Sequence, residues 1–189
     1  VSDIMEAYEA GQRDFAENYV QELLDKYEAL PKDIRWHFIG HLQSNKVKYI
    51  TPFIHLIHGV DSEKLLQEIN KQGNRINRII PSLLQVHISA EKTKFGLNES
   101  ELESIISKMT ANQNLFGHVS IKGLMGMASY TEDNDLIITE FKKLKKQYFR
   151  LKHICNVIDY NLSLLLPSDL CLFGLFEFRS RLVGRVSSS

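Results

Sequence analysis

The 189-residue sequence has only two cysteines, Cys155 and Cys171, and no CxxC pair. That excludes a disulfide scaffold and a cysteine-based metal centre, and it fits a reducing compartment. An excess of charge of one sign is also missing, since 23 basic residues balance 23 acidic ones. A balanced chain gives no global attraction to nucleic acid or to an anionic membrane, so neither is expected as a partner. No apolar run reaches the roughly 20 residues of a membrane-spanning helix. The most apolar stretch, residues 162–178, is interrupted by Pro167 and Asp169 and reads as soluble-core sequence. Val1 opens directly into a helical pattern, so no signal peptide is expected and the expected location is cytoplasmic. Nucleotide loops of the GxGxxG or GxxxxGKS/T type are missing, as is the GxSxG nucleophile elbow. The seven histidines show no HExxH or other tight ligand spacing, so no metal is expected.

What is present is ordinary for one globular domain. Apolar residues make up 43% of the chain, and the length allows a full core. Residues 3–33 are acid-rich and residues 142–152 are basic, which reads as solvated helix faces. Two short apolar runs, 13–17 and 36–39, each stop at a polar cluster. Between them Val20, Leu23, Leu24 and Tyr27 recur at i, i+3, i+4 and i+7, the period of a helix.

The same alternation continues along the chain. Ser2 and Asp3 can cap a first helix, which Gly11 stops. Strands are expected at 13–17, 34–39, 54–60, 82–89 and 119–127. Helices are expected at 19–30, 43–50, 62–72, 98–111 and 133–152, with Gly73 closing the one at 62–72. Alternating strands and helices imply a parallel sheet, closed either as an open doubly wound sheet or as a (β/α)8 TIM-type barrel. The missing nucleotide motifs favour the barrel. A barrel needs about 200–250 residues, and this chain opens on a helix, so it is expected to enter the fold after the first strand.

Chemistry in such folds sits after the carboxyl ends of parallel strands. That singles out Asn18, which could serve a ligand or cap a turn. His37 and Ile39 share one face of their strand by alternation, and His37 is either a ligand contact or a satisfied core histidine. Gly40 permits close backbone approach or relieves a turn, and Met125 with Gly126 ends a late strand.

At residues 15–48 the sequence resembles the pyridoxal phosphate homeostasis family, single-domain relatives of the alanine racemase barrel. The run Phe15-Ala16-Glu17-Asn18-Tyr19-Val20-Gln21-Glu22 matches the family's FGENYVQE, with Ala16 for Gly, and residues 36–46 match WHFIGHLQxNK throughout. Further matches stand at Val60-Asp61-Ser62, residues 85–89, Lys94-Phe95-Gly96-Leu97 and residues 123–127. The resemblance implies a (β/α)8 barrel of the alanine racemase N-terminal type. It implies one domain, family-like over residues 2–152 and divergent over 153–189. It implies pyridoxal 5'-phosphate (PLP) as cofactor, buffered or delivered to PLP-dependent apoenzymes by a non-catalytic monomer or weak dimer. It places Asn18, His37, Ile39, Gly40, Met125 and Gly126 around the ring, and Ser168, Arg185 and Ser187 at the phosphate. Two departures stand out. The family's Schiff-base lysine falls before the position matching Ser2, and the phosphate-binding end is disturbed in spacing, without Met-Gly-Met-Ser or Arg-Ile-Gly. Weak, non-covalent PLP binding is therefore expected. The alternatives are a barrel lyase or racemase acting on a small amino-acid or phosphorylated substrate, and a non-binding fragment.

Overall fold

The computed structural model describes residues 1–89, 95–112, 114–154 and 161–165. Helix α1 (Ser2–Glu9) precedes strand β1 (Asp14–Glu17) and helix α2 (Val20–Ala29). Strand β2 (Arg35–Phe38) leads through a 3-10 turn (Ser44–Lys46) into α3 (Val47–Ile50). Then follow β3 (Leu56–Val60), α4 (Glu63–Arg75), β4 (Ile80–Val86), α5 (Glu99–Ala111), β5 (Val119–Met127), α6 (Asn134–Ile154) and β6 (Asn161–Leu165).

The strands form one sheet in the order β1-β2-β3-β4-β5-β6, and every pair is parallel. That order decides between the two closures. A doubly wound sheet reverses its strand order part-way, whereas a barrel adds each strand beside its predecessor. The sheet is of the barrel type and is not closed among the described residues.

Period-2 alternation splits each strand between two faces. The helix side carries the main core: Trp36 and Phe38 of β2, Ile57 of β3, Leu84 of β4 and Leu124 of β5 pack with Leu23, Ile69, Ile106 and Leu144 of the helices. Phe15 of β1 meets the Trp36 ring at 6.1 Å. The concave face takes His37, His58, Gln85 and Met125, all buried. Irregular register between Ile57 and Val60, and between Ser82 and Leu83, shifts the alternation on β3, β4 and β5.

Of three expectations about helix ends, two change and one is realised. Ser2 lies inside α1, whose N-cap is Val1 with no side-chain cap. The expected start at Asn98 or Glu99 is realised as a capping box: the Asn98 side chain accepts from Glu101 N–H, and Glu101 accepts from Asn98 N–H. Gly73 does not close α4, which runs on to Arg75. It is there for space. A Cβ at Gly73 would stand 2.7 Å from the Arg78 carbonyl oxygen and 2.9 Å from that of His118, both backbone.

Gly73→Ala therefore destabilises the chain by about 1–3 kcal/mol, despite alanine's better helix propensity. Gly117→Ala, whose Cβ would meet nothing closer than 3.5 Å, is the control. Urea midpoints of the two variants check this; equal midpoints contradict the crowding at Gly73.

Candidate functional site

The carboxyl ends of the strands form a rim, and the connections after β1, β2, β3, β4 and β5 meet there. Asn18 follows β1 and is exposed. The β2 strand is drawn against it, because Ile39 N–H donates to the Glu17 carbonyl at 3.0 Å and a Cβ at Gly40 would land inside the Asn18 backbone. Gly40 is thus obligatory for the β1–β2 approach. Its own carbonyl would lie 2.9 Å from a Cβ on Gly59, so β3 comes in equally close.

His41 Nδ1 sits 3.1 Å from Asp61 Oδ2, which follows β3. The His41 ring stacks on Phe95 at 4.2 Å. Phe95 belongs to a segment that returns alongside β4: Leu97 N–H donates to the Gln85 carbonyl at 2.7 Å, and His87 N–H to the Leu97 carbonyl at 3.0 Å. Gly96 makes that return with φ +142°, and a Cβ there would lie 2.6 Å from His87 N. Gln85 pins the segment from below, donating Nε2 to the Phe95 carbonyl at 3.0 Å.

Beyond β5, Ser129 is clamped by the buried Glu140 of α6. The Ser129 amide and hydroxyl each donate to this carboxylate at 2.7 Å, and the Ser89 and Ser129 hydroxyls are 2.9 Å apart. The rim is therefore polar, ordered and backed by a buried carboxylate.

A second polar group begins at the opposite, amino-terminal ends of the strands, with Asp14 and Arg35, and reaches inward along them to His37 and His58. Arg35 donates Nε to Asp14 Oδ1 at 2.7 Å and makes a second contact to Oδ2. His37 Nε2 stands 3.3 Å from Asp14 Oδ1, and His37 Nδ1 stands 2.9 Å from His58 Nε2. The hydrogen bond from the Arg35 guanidinium holds the Asp14 carboxyl below its usual range. An ionised Asp14 can only accept, so His37 carries hydrogen on Nε2, and His58 Nε2–H donates to His37 Nδ1. Burial, reinforced by His55, pushes the His37 pKa down to about 4. Burial, with the neighbouring His37, pushes that of His58 down to about 3.

The sequence-singled residues divide accordingly. Asn18, Ile39 and Gly40 meet at the rim, and Met125 stands on the concave face beside Gln85. His37 faces the interior, but its ring nitrogens already face His58 and Asp14, so it offers no free hydrogen-bonding atom to a molecule bound at the rim. Gly126 faces the helices instead. A Cβ on it would lie 2.9 Å from Leu144 Cδ2 of α6 and 2.8 Å from Ile88 Cδ1, so the missing side chain makes room for helix packing. Ser168, Arg185 and Ser187 lie outside the described residues. The sequence did not single out Asp14, His58, Gln85, Ser89, Ser129 or Glu140. The signals that pointed to any of them are a glutamine inside the otherwise apolar run of β4 and the family match over residues 85–89, which covers Gln85 and Ser89.

Residues 1–164 match the family model described as the alanine racemase N-terminal domain. A pyridoxal phosphate homeostasis protein of Aquifex aeolicus is 36% identical over 167 residues, which cover 88% of this chain and 72% of that protein. The chain belongs to the pyridoxal phosphate homeostasis family. Family members from Vibrio alginolyticus and Homo sapiens are 34% and 36% identical, over 76% and 69% of this chain. The chain spans only 62% and 50% of the lengths of those two relatives. Among solved structures, PipY of Synechococcus elongatus without PLP superposes with a TM-score of 0.78 at 30% identity, over 86% of this chain and 75% of PipY. The PLP-bound form of PipY gives 0.73 at 28%, covering 86% and 74% of the two chains. The alanine racemase of Streptomyces coelicolor, at 12% identity and a TM-score of 0.69, shares the fold alone; it covers 84% of this chain and 42% of that one. The family's barrel architecture is thus the architecture of this chain.

The buried histidines make folding sensitive to acid. The folded chain resists protonating His37 and His58 until about pH 4 and 3, whereas an unfolded histidine takes its proton near pH 6.5. As pH falls below 6.5 the unfolded state binds more protons, so stability is lost on acidification. Urea midpoints should fall between pH 7 and pH 5, and less steeply in His58→Gln. A wild-type midpoint flat across this window would contradict the neutral, buried pair.

Proposed function

We propose that this chain binds PLP at the strand-end rim and serves in holding or handing on the cofactor, without a turnover reaction of its own. The observation that carries the proposal is the ordered rim of Asn18, Gly40, His41, Asp61, Gln85 and Phe95, in a chain whose family likeness includes a PLP-bound PipY. The rim residues fit the ring side of such a cofactor. Gly40 and Gly59 keep the strand ends free of side chains, and Phe95 with His41 presents a flat aromatic edge.

When bound, PLP supplies an electrophilic aldehyde on an electron-withdrawing ring. In this reading the exposed Asn18 side chain hydrogen-bonds a polar substituent of the ring, and Ile39 and Met125 pack beneath it. His37 adds bulk rather than a hydrogen bond. Ser168, Arg185 and Ser187 are proposed at the phosphate. Binding is proposed as non-covalent: none of Lys26, Lys32, Lys46 or Lys48 matches the family's lysine position, and Lys26 is paired with Glu17 and Glu22. PLP-dependent apoenzymes are the proposed recipients, and a cytoplasmic, monomeric or weakly dimeric protein is the proposed setting.

One observation favours a second reading. The His41–Asp61 pair is an imidazole–carboxylate couple at a strand-end rim, the arrangement a racemase or lyase needs for proton transfer. Incubating the chain with PLP and an amino acid, and following racemisation or elimination, separates the two readings.

PLP titrated into the chain should shift its visible absorbance and raise the unfolding temperature, by the equivalent of about 2.7 kcal/mol at a hundredfold excess over Kd. Asn18→Ala should weaken binding by roughly two- to tenfold, the value of one neutral hydrogen bond. Dialysis should remove the cofactor, and borohydride should leave no pyridoxyl mass on the chain. No absorbance change and no thermal shift at millimolar PLP would end the proposal. A borohydride-fixed adduct would end its non-covalent part.

A further inference from the structure

The polar group at the amino-terminal half of the strands has a property that the cofactor reading does not use. Asp14 opens β1, Arg35 opens β2, and His55 immediately precedes β3 at Leu56. They lie at the end of the sheet opposite to Asn18 and Gly40. One ligand atom each of Asp14, His37 and His55 lies within 4.8 Å of the other two. The rings of His37 and His55 are 5.2 Å apart and tilted by 49°.

We propose that Asp14, His37 and His55 form a binding site for a divalent transition-metal ion such as Zn2+, Co2+ or Ni2+. Two imidazole nitrogens and one carboxylate oxygen are a recurrent donor set for these borderline ions, and one position is left to water. Magnesium and calcium prefer all-oxygen sites and are not matched here.

The rest of the geometry supports the donors. His37 Nδ1 stands 2.9 Å from His58 Nε2. With an ion on His37 Nε2, the His37 hydrogen moves to Nδ1 and donates to His58 Nε2, whose own hydrogen shifts to the Nδ1 of its ring; His58 is then the buried second partner that metal-bound histidines usually have. Arg35 grips Asp14 through two contacts and fixes the carboxylate on the His37 side. Its positive charge also opposes the ion, which places affinity in a moderate range rather than among the tightest sites. His55 is exposed, so it provides both an entry path and the freedom to close the roughly 1 Å needed for metal–nitrogen bonds of about 2 Å. In barrels this face serves stability rather than chemistry, so the ion would act on folding and not on the cofactor rim.

The test is a titration of the full chain with Co2+ and Zn2+. Co2+ should give visible d–d bands saturating at one equivalent, and Zn2+ should displace it and raise the unfolding temperature. His55→Ala removes an exposed ligand and should weaken binding about tenfold or more; circular dichroism verifies that it folds. Asp14→Asn should do the same. His118→Ala, an imidazole elsewhere in the fold, should bind as the wild type does. Mg2+ should produce no shift. Absence of one-equivalent binding, binding unaffected by His55→Ala in the folded variant, or an equal effect of Mg2+ each overturns the proposal. None of these readouts depends on PLP.

Discussion

Every strand lies parallel to, and directly beside, the strand before it in the chain. That constraint sends all connections out at one end and all returns in at the other. It also demands helices on one face, because parallel strands leave no face for solvent. The apolar helix side follows from this, with Trp36 and Phe38 fully enclosed. So does the division of polar residues into two groups at opposite ends. The rim is built from turns, where backbone turns and caps must be made anyway. The amino-terminal group is built from strand side chains, and its buried imidazoles each need a neighbour to be tolerated.

The rim depends on backbone proximity more than on side chains. Gly40 and Gly59 let three consecutive strand ends come together with nothing between them. Larger residues would splay β1, β2 and β3 before any ligand was involved. Gly73 and Gly126 do a related job on the outer layer, where α4 and α6 press on the sheet. The chain thus uses glycine to set distances between layers.

Much of this architecture was legible in the sequence. Strand–helix alternation, the 119–127 strand and the helix start at Asn98–Glu99 follow from hydrophobic period and turn chemistry. Asn18 and Gly40 were visible because they end apolar runs. The partners that surround the singled-out His37 were not. His37, Asp14 and His58 come from three strands, and their meeting depends on register, which period alone does not give. Gly73 looked like a helix stop because glycine usually is one; the carbonyls of Arg78 and His118 that demand it lie in other connections. Gly126 ends its strand as the sequence suggested, but the bulge on β5 sets which face it presents, and a bulge leaves no clear mark in composition.

The Glu140 clamp has a consequence for motion. Its carboxylate holds both the amide and the hydroxyl of Ser129, so the turn after β5 is tied to the second turn of a 21-residue helix. Fraying of that turn alone would take two hydrogen-bond donors away from a buried carboxyl group, which is costly. The Ser129 amide therefore exchanges its hydrogen with solvent only when α6 lifts from the sheet. The rim beyond β5 and the outer helix open as one cooperative unit, and slow isotope exchange at a single amide would report the undocking of the whole helix.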